Sequence, residues 1–258
     1  MTLRLMCVLA HPDDESLGTG GTLAKYAAEG VETYVVTATR GERGRFGDGQ
    51  ERPASDVVGK VREAELRAAA QELGVREVVV LGYPDGALDS VDPALAQERI
   101  AAEMRRVRPQ VVLTFGPDGA YGHPDHVAIS QLTSAALVRA ADANFAVSKL
   151  YQIAWSAAKW AAYQAALKKL TSTVDGIDRE VVAAPEWNIS TRIDTSKVWP
   201  TVWRAVQCHR TQMSIYENLA SLPASDHRSL WGVQEFCRAI SLVNGGRVRE
   251  TDLFEGLR

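Results

Sequence analysis

Between Arg4 and Ala141, short β-branched and apolar runs alternate with longer stretches of helical periodicity. This alternation constrains the fold more than any other feature of the chain. Arg4–Ala10, Glu32–Thr39, Val78–Leu81, Val111–Phe115 and Lys149–Ala154 read as strands. A helix is expected from about Gly20 to Glu29, stopped by Gly30. A second spans Asp56–Leu73, with Val58, Val61, Ala68, Ala69 and Leu73 turned inward. Asp92-Pro93 is an N-cap and first-turn pair opening a third helix, with Ala96, Ile100, Met104 and Val107 on one stripe. A fourth follows Pro124, with Ile129, Leu132 and Ala136 inward. The pattern implies a Rossmann-like three-layer α/β sandwich with a mostly parallel sheet. Past Ser156 the alternation loosens, and all six tryptophans lie from Trp155 onward. This last part is expected to complete the domain, wall a pocket and place its tryptophans in the core or at a homo-oligomer interface. With no linker, repeat or low-complexity tract, residues 1–258 read as one domain.

Two acidic histidine clusters fall at strand ends. His11-Pro12-Asp13-Asp14-Glu15 follows the first strand, and His123-Pro124-Asp125-His126 follows the strand ending at Phe115. In an open parallel sheet, ligands bind beyond the carboxyl ends of the strands near the point where strand order reverses. Imidazole and carboxylate together suit a divalent transition metal, zinc above all, and ferrous iron suits the same ligands. A catalytic zinc site keeps three protein ligands and an open position; His11, Asp14 and His126 supply two nitrogens and an oxygen. Zinc lowers the pKa of water toward neutrality, and Asp13 is the neighbouring carboxylate able to take the proton. His123 shares a helical face with His126, so it can line the same cavity. Asp125 is expected to hold His123 as an imidazolium, for an oxyanion or a leaving amine, and Tyr121 to add a hydroxyl donor. Glu15 is expected to orient His11.

The bulk properties set limits. A net charge of -3 with scattered basic residues gives no electrostatic reason for a nucleic acid or anionic membrane partner. Cys7, Cys208 and Cys237 read as incidental thiols of a reducing compartment. The apolar stretch Leu5–Ala10 is too short for a secretory signal, so the cytoplasm is the expected location. Arg40–Ser55 is long, charged and glycine-rich, a functional or mobile loop in which Arg40–Arg45 suits an anionic ligand as well as solvent. Gly18, Gly20 and Gly21 do not match a dinucleotide fingerprint and read as sites of close helix–strand packing. His209 reads as structural and His227 as a surface residue.

Ala10-His11-Pro12-Asp13-Asp14-Glu15 with Gly18-Thr19-Gly20-Gly21 resembles the opening signature of the PIG-L/LmbE family of zinc-dependent N-deacetylases. Tyr121-Gly122-His123-Pro124-Asp125-His126 resembles its second signature. Arg62-Glu63-Ala64-Glu65-Leu66, Leu73-Gly74-Val75 and Leu81-Gly82-Tyr83-Pro84-Asp85-Gly86 are similar to its middle stretch, so the resemblance covers about residues 3–142. His209-Arg210-Thr211-Gln212 is a weaker echo of a C-terminal His-x-Ser-Gln pattern, with Thr211 in place of serine. The resemblance implies removal of an N-acetyl group from a small N-acetylglucosamine-type sugar or conjugate. By matching position it implies zinc on His11, Asp14 and His126, with Asp13 as general base. It likewise implies His123 in the oxyanion or acid role, supported by Asp125, and Tyr121 polarising the carbonyl. Arg62 and Asp85 match positions that hold the sugar. Two other readings stand beside it: an amidase of a larger sugar–thiol conjugate, and a non-catalytic Rossmann-like module binding a sugar or nucleotide.

Overall fold

The computed structural model describes residues 2–47, 51–167, 171–174, 176–214, 216–246 and 248–258. Five strands, β1 (Arg4–Leu9), β2 (Glu32–Thr39), β3 (Glu77–Tyr83), β4 (Val111–Thr114) and β5 (Lys149–Ile153), are parallel. Two more, β8 (Thr191–Asp194) and β9 (Val233–Ser241), extend the sheet antiparallel in the order β3-β2-β1-β4-β5-β9-β8. A separate hairpin pairs β6 (Thr171–Val174) with β7 (Ile177–Glu180). Strand order reverses between β1 and β4, and the crevice beyond their carboxyl ends is where such sheets take ligands.

Helices cover both faces. On one side α1 (Asp14–Ala28), α2 (Ser55–Glu72) and α7 (Trp199–Cys208) pack together; on the other lie α3 (Pro93–Val107) and α5 (Pro124–Ala140). The shorter helices are α4 (Gly119–Gly122), α6 (Ala157–Leu167), α8 (Glu217–Ala220) and α9 (Ala224–Trp231). The expected apolar stripes of α3 and α5 are buried, and Asp92 caps α3 by accepting from the Ala94 and Leu95 N–H groups. The Rossmann-like α/β sandwich is therefore the observed architecture.

Several details differ from the sequence reading. Helix α1 starts at Asp14, six residues ahead of expectation, because Asp14 and Glu15 stand in its first turn where the helix dipole favours anions. On α2 the inward face is more polar than expected: Ala68 is exposed while Arg62 and Glu65 are buried with Val58, Leu66 and Ala69. A Cβ at Gly21 would lie 2.8 Å from Thr195, one at Gly20 3.3 Å from Val202 of α7 and one at Gly18 3.1 Å from Ile153 of β5, so these glycines allow close packing, at Gly18 against a strand. His227 is buried, stacked on Trp199 with ring centroids 5.5 Å apart and lying beside Trp203 and Trp231. Of the tryptophans, Trp231 is fully buried and Trp187 is 74 % exposed on this chain. Residues 48–50 of the long loop lie outside the described residues. No described helix is long and apolar enough to cross a membrane.

Candidate metal centre and active site

The β1–α1 turn and the start of α5 meet at the switch point. His11 Nδ1 lies 3.2 Å from His126 Nε2, Asp14 Oδ1 is 3.4 Å from His126 Nε2, and Asp14 Oδ2 is 3.7 Å from His11 Nδ1. Tetrahedral bonds of about 2.0–2.1 Å set ligand atoms about 3.3 Å apart. All three side chains are held by their other atoms. His11 Nε2–H is shared between Asp125 Oδ2 at 3.0 Å and Asp85 Oδ1 at 3.2 Å. His126 Nδ1–H donates to the Gly119 carbonyl at 3.2 Å, and its ring stacks on Phe115 with centroids 3.9 Å apart. Asp14 Oδ2 accepts the backbone N–H groups of Ala10 and His11. Outer bonds of this kind fix the tautomer and aim the remaining lone pair inward.

The charges favour a cation. Burial alone would lower the pKa of His11, but Asp125, Asp85 and Asp14 outweigh it and push it up to about 10. Burial would raise Asp14, yet His126 and His11 hold its carboxyl well below the usual range. The pocket of carboxylates thus draws a proton onto His11 that a metal ion can replace. The donor set of two imidazoles and a carboxylate fits zinc or ferrous iron. His123 offers a further nitrogen within 4.8 Å of His11 and His126.

Asp13 caps α1 with a left-handed backbone (φ 104°), strain held in place by its contacts. Its Oδ2 accepts from Arg62 Nη2 at 3.1 Å and from the Tyr216 hydroxyl at 3.0 Å. Burial raises the Asp13 pKa, opposed by Arg62 and reinforced by Asp14. Arg62 also donates to the carbonyls of Pro12 and Gly41. Asp85 Oδ2 accepts the Arg43 N–H at 2.7 Å. Burial would raise Asp85, but His11, the Arg43 N–H and the Arg62 charge together bring its pKa down to about 2. Both residues line the cavity, but their bonds are made inside the protein, as buried charges require. Within the protein Arg62 bonds Asp13 and Asp85 bonds His11, and both side chains stay part of the cavity wall.

The expected pairing of Asp125 with His123 does not occur through its carboxylate. Asp125 is fully buried; its oxygens take His11 and the N–H groups of Gly86 and Leu88. His123 instead accepts the Asp125 N–H on Nδ1 at 3.2 Å, so its proton resides on Nε2. Burial, His126 and His11 bring the His123 pKa down to about 4, leaving the ring neutral near pH 7. Glu15 likewise does not orient His11; it accepts from His209 Nε2 at 2.7 Å, from the Ser16 hydroxyl and from the Asp13 N–H. Tyr121 sits on α4 next to Ala120, whose φ of 64° is another strained position, and faces His123 and His126. Thr211 supplies the hydroxyl at the serine position, donating to Glu65 Oε2 at 2.7 Å.

These side chains surround a cavity of about 430 Å³. The chain matches the family described as PIG-L, GlcNAc-PI de-N-acetylase, over residues 6–137, a span holding both histidine clusters.

The chain belongs to the PIG-L family.

Its relatives include a Rhodococcus opacus protein named 1D-myo-inositol 2-acetamido-2-deoxy-α-D-glucopyranoside deacetylase, 35 % identical over 243 residues and 82 % of each chain. A conserved protein of Thermus thermophilus superposes with a TM-score of 0.66 at 27 % identity, covering 95 % of this chain and 98 % of the other. The 4-carboxy-2-hydroxymuconate hydratase GalB of Pseudomonas putida gives a TM-score of 0.68 at 21 % identity over 95 % and 99 %. That likeness is of fold alone. Sequence reasoning did not single out several cavity residues, Trp155 and Tyr216 among them. Trp155 follows β5 and was accessible to the same strand-end rule that found the clusters. Tyr216 lies in an irregular stretch with no motif or period to mark it.

Proposed function

We propose that this chain is a zinc-dependent N-deacetylase cleaving the acetamide of an N-acetylglucosamine-type sugar, such as the inositol conjugate its relatives are named for. The observation that carries the reading is the inward convergence of His11 Nδ1, His126 Nε2 and the Asp14 carboxylate beside Asp13. These three residues would hold the cation, and the reading takes residues 1–258 as one PIG-L-type domain. When bound, zinc or ferrous iron supplies Lewis acidity and makes water a competent nucleophile near neutral pH.

The chain's own groups divide the remaining work. Arg62 and Tyr216 both occupy Asp13 Oδ2, which leaves Oδ1 to accept the proton of the attacking water. The neutral His123 presents Nε2–H as a donor to the developing oxyanion, with the Tyr121 hydroxyl beside it. Burial makes protonated Asp13 a competent acid, so the same carboxyl returns its proton to the leaving amine. The acetate carbon gains the water oxygen and loses the sugar nitrogen. A phosphate-binding module would instead leave the α1 N-terminus open to an anion, where this chain has Asp13, Asp14 and Glu15.

Metal analysis coupled to amine release from the N-acetylglucosaminyl-inositol substrate tests the reading. The expected results are about one metal ion per chain, loss of activity on chelation and recovery with zinc. Asp13→Ala is expected to keep its metal and lose about 100- to 10,000-fold in kcat. Metal-loaded protein that releases no amine, or an Asp13→Ala variant with full activity, overturns it.

A further inference from the structure

The cavity is asymmetric about the candidate metal centre, and the sheet order explains how. Over β2 and β3, on one side of β1, it is lined by Arg43, Arg62 and Asp85. Over β4 and β5, on the other side, it is lined by Phe115, Trp155, Tyr163, Leu167 and Leu17. Leu17 and Gly18 lie three and four residues after Asp14 on α1, so the apolar wall begins one helical turn from the carboxylate. Tyr163 donates its hydroxyl to the Leu17 carbonyl at 2.8 Å and therefore turns only its ring to the cavity. Trp155 stacks on that ring with centroids 4.5 Å apart and planes 9° from parallel. Gly18 contributes backbone to the wall and packs closely on β5, since a Cβ there would lie 3.1 Å from Ile153.

An amide bound with its carbonyl at the centre has two substituents to place, an amine and an acyl group. Among the described residues, a hydroxyl-rich sugar finds its charged partners beside the centre over β2 and β3. That puts the acyl chain over β5, against a wall much larger than one methyl group needs. We propose that the apolar arm over β5 is an acyl-chain subsite, and that the chain cleaves N-acyl amino sugars with acyl groups longer than acetyl more efficiently than the N-acetyl compound. This rests on the amide-hydrolase reading above and extends its substrate class. The chemistry is unchanged: water adds to the acyl carbon, the C–N bond breaks, and a free amine and a longer carboxylate leave.

The experiment measures kcat/KM for N-acetyl-, N-butanoyl- and N-hexanoyl-glucosamine with metal-loaded protein. In parallel it uses the octyl glycoside of N-acetylglucosamine, which places the alkyl chain on the sugar. Burial of each methylene predicts a rise of about two- to fourfold per carbon in the acyl series. In Leu17→Trp and Leu167→Trp, which fill the arm, the ratio of hexanoyl to acetyl turnover is expected to fall about tenfold or more. That ratio is read within one preparation, so partial loss of folded protein leaves it unchanged. A steady fall from acetyl to hexanoyl, a gain confined to the octyl glycoside, or an unaltered ratio in both variants overturns the proposal. In each of those cases the N-acetyl compound is still cleaved. No amine release from any substrate overturns the hydrolase reading itself.

Discussion

At the level of single residues, each functional side chain of the site is aimed by hydrogen bonds to its other atoms. Asp125 and Asp85 take the His11 Nε2 proton, Gly119 takes that of His126 Nδ1, and the two remaining ring nitrogens face each other at 3.2 Å. Tyr216 does the same for Asp13. Its hydroxyl and Arg62 share Oδ2, which sets the direction of Oδ1. Tyr216→Phe removes this positioning bond while keeping the ring that lines the cavity. The expected result is a fall in kcat of about tenfold, the size of one net hydrogen bond, with KM and metal content unchanged. A rise in KM at constant kcat would instead make Tyr216 a substrate-binding group. The meeting of the two histidine clusters was legible from the motifs, because both stand at strand ends around the switch point. The Asp125–His11 bond was not legible, because His123 is nearer in sequence and only the fold turns the carboxylate away from it.

Among the elements, α1 carries the most. Its first turn holds Asp14 and Glu15, its cap is Asp13, and its next turn opens the apolar arm at Leu17 and Gly18. Glu15 ties this helix to the segment after α7 through His209, both side chains being fully buried. Breaking a buried pair leaves one charged or polar partner without compensation. Glu15→Gln is expected to cost about 3 kcal/mol of stability, measured by urea unfolding. A loss below about 0.5 kcal/mol would show that His209 does not depend on it. The strand–helix order of this region followed from hydrophobic period alone. The early start of α1 did not, because an acidic turn and an acidic first helical turn have the same composition. The buried Arg62 and Glu65 on α2 escaped the periodic reading for a related reason: they serve partners on other elements, Asp13 and Thr211.

Across the whole molecule, the C-terminal segment locks the sheet at the end away from the site. Glu250 accepts from Lys149 Nζ, the Tyr151 hydroxyl, Thr191 Oγ1 and Arg238 Nη1, joining β5, β8 and β9. Burial would raise the Glu250 pKa, but Lys149, Tyr151 and Arg238 together hold it below the ordinary carboxylate range. A depressed folded pKa means that ionised Glu250 contributes stability above the unfolded value of about 4.3. That contribution is lost as pH falls through the lower folded value. Thermal unfolding between pH 7 and pH 3 is expected to show a steeper acid loss in the parent chain than in Glu250→Gln. Equal slopes would show that this network does not report on pH.

The sequence by itself determined the parallel α/β order and the location of both histidine clusters at the carboxyl ends of β1 and β4. Those are properties of local period and of strand ends, which a linear pattern records. Tertiary structure alone decided which carboxylate meets which imidazole, that His123 stays neutral, and that Tyr216 reaches the cavity. Those outcomes depend on side chains far apart in the chain packing into one buried space, where each polar atom must find its partner and the apolar residues take what remains.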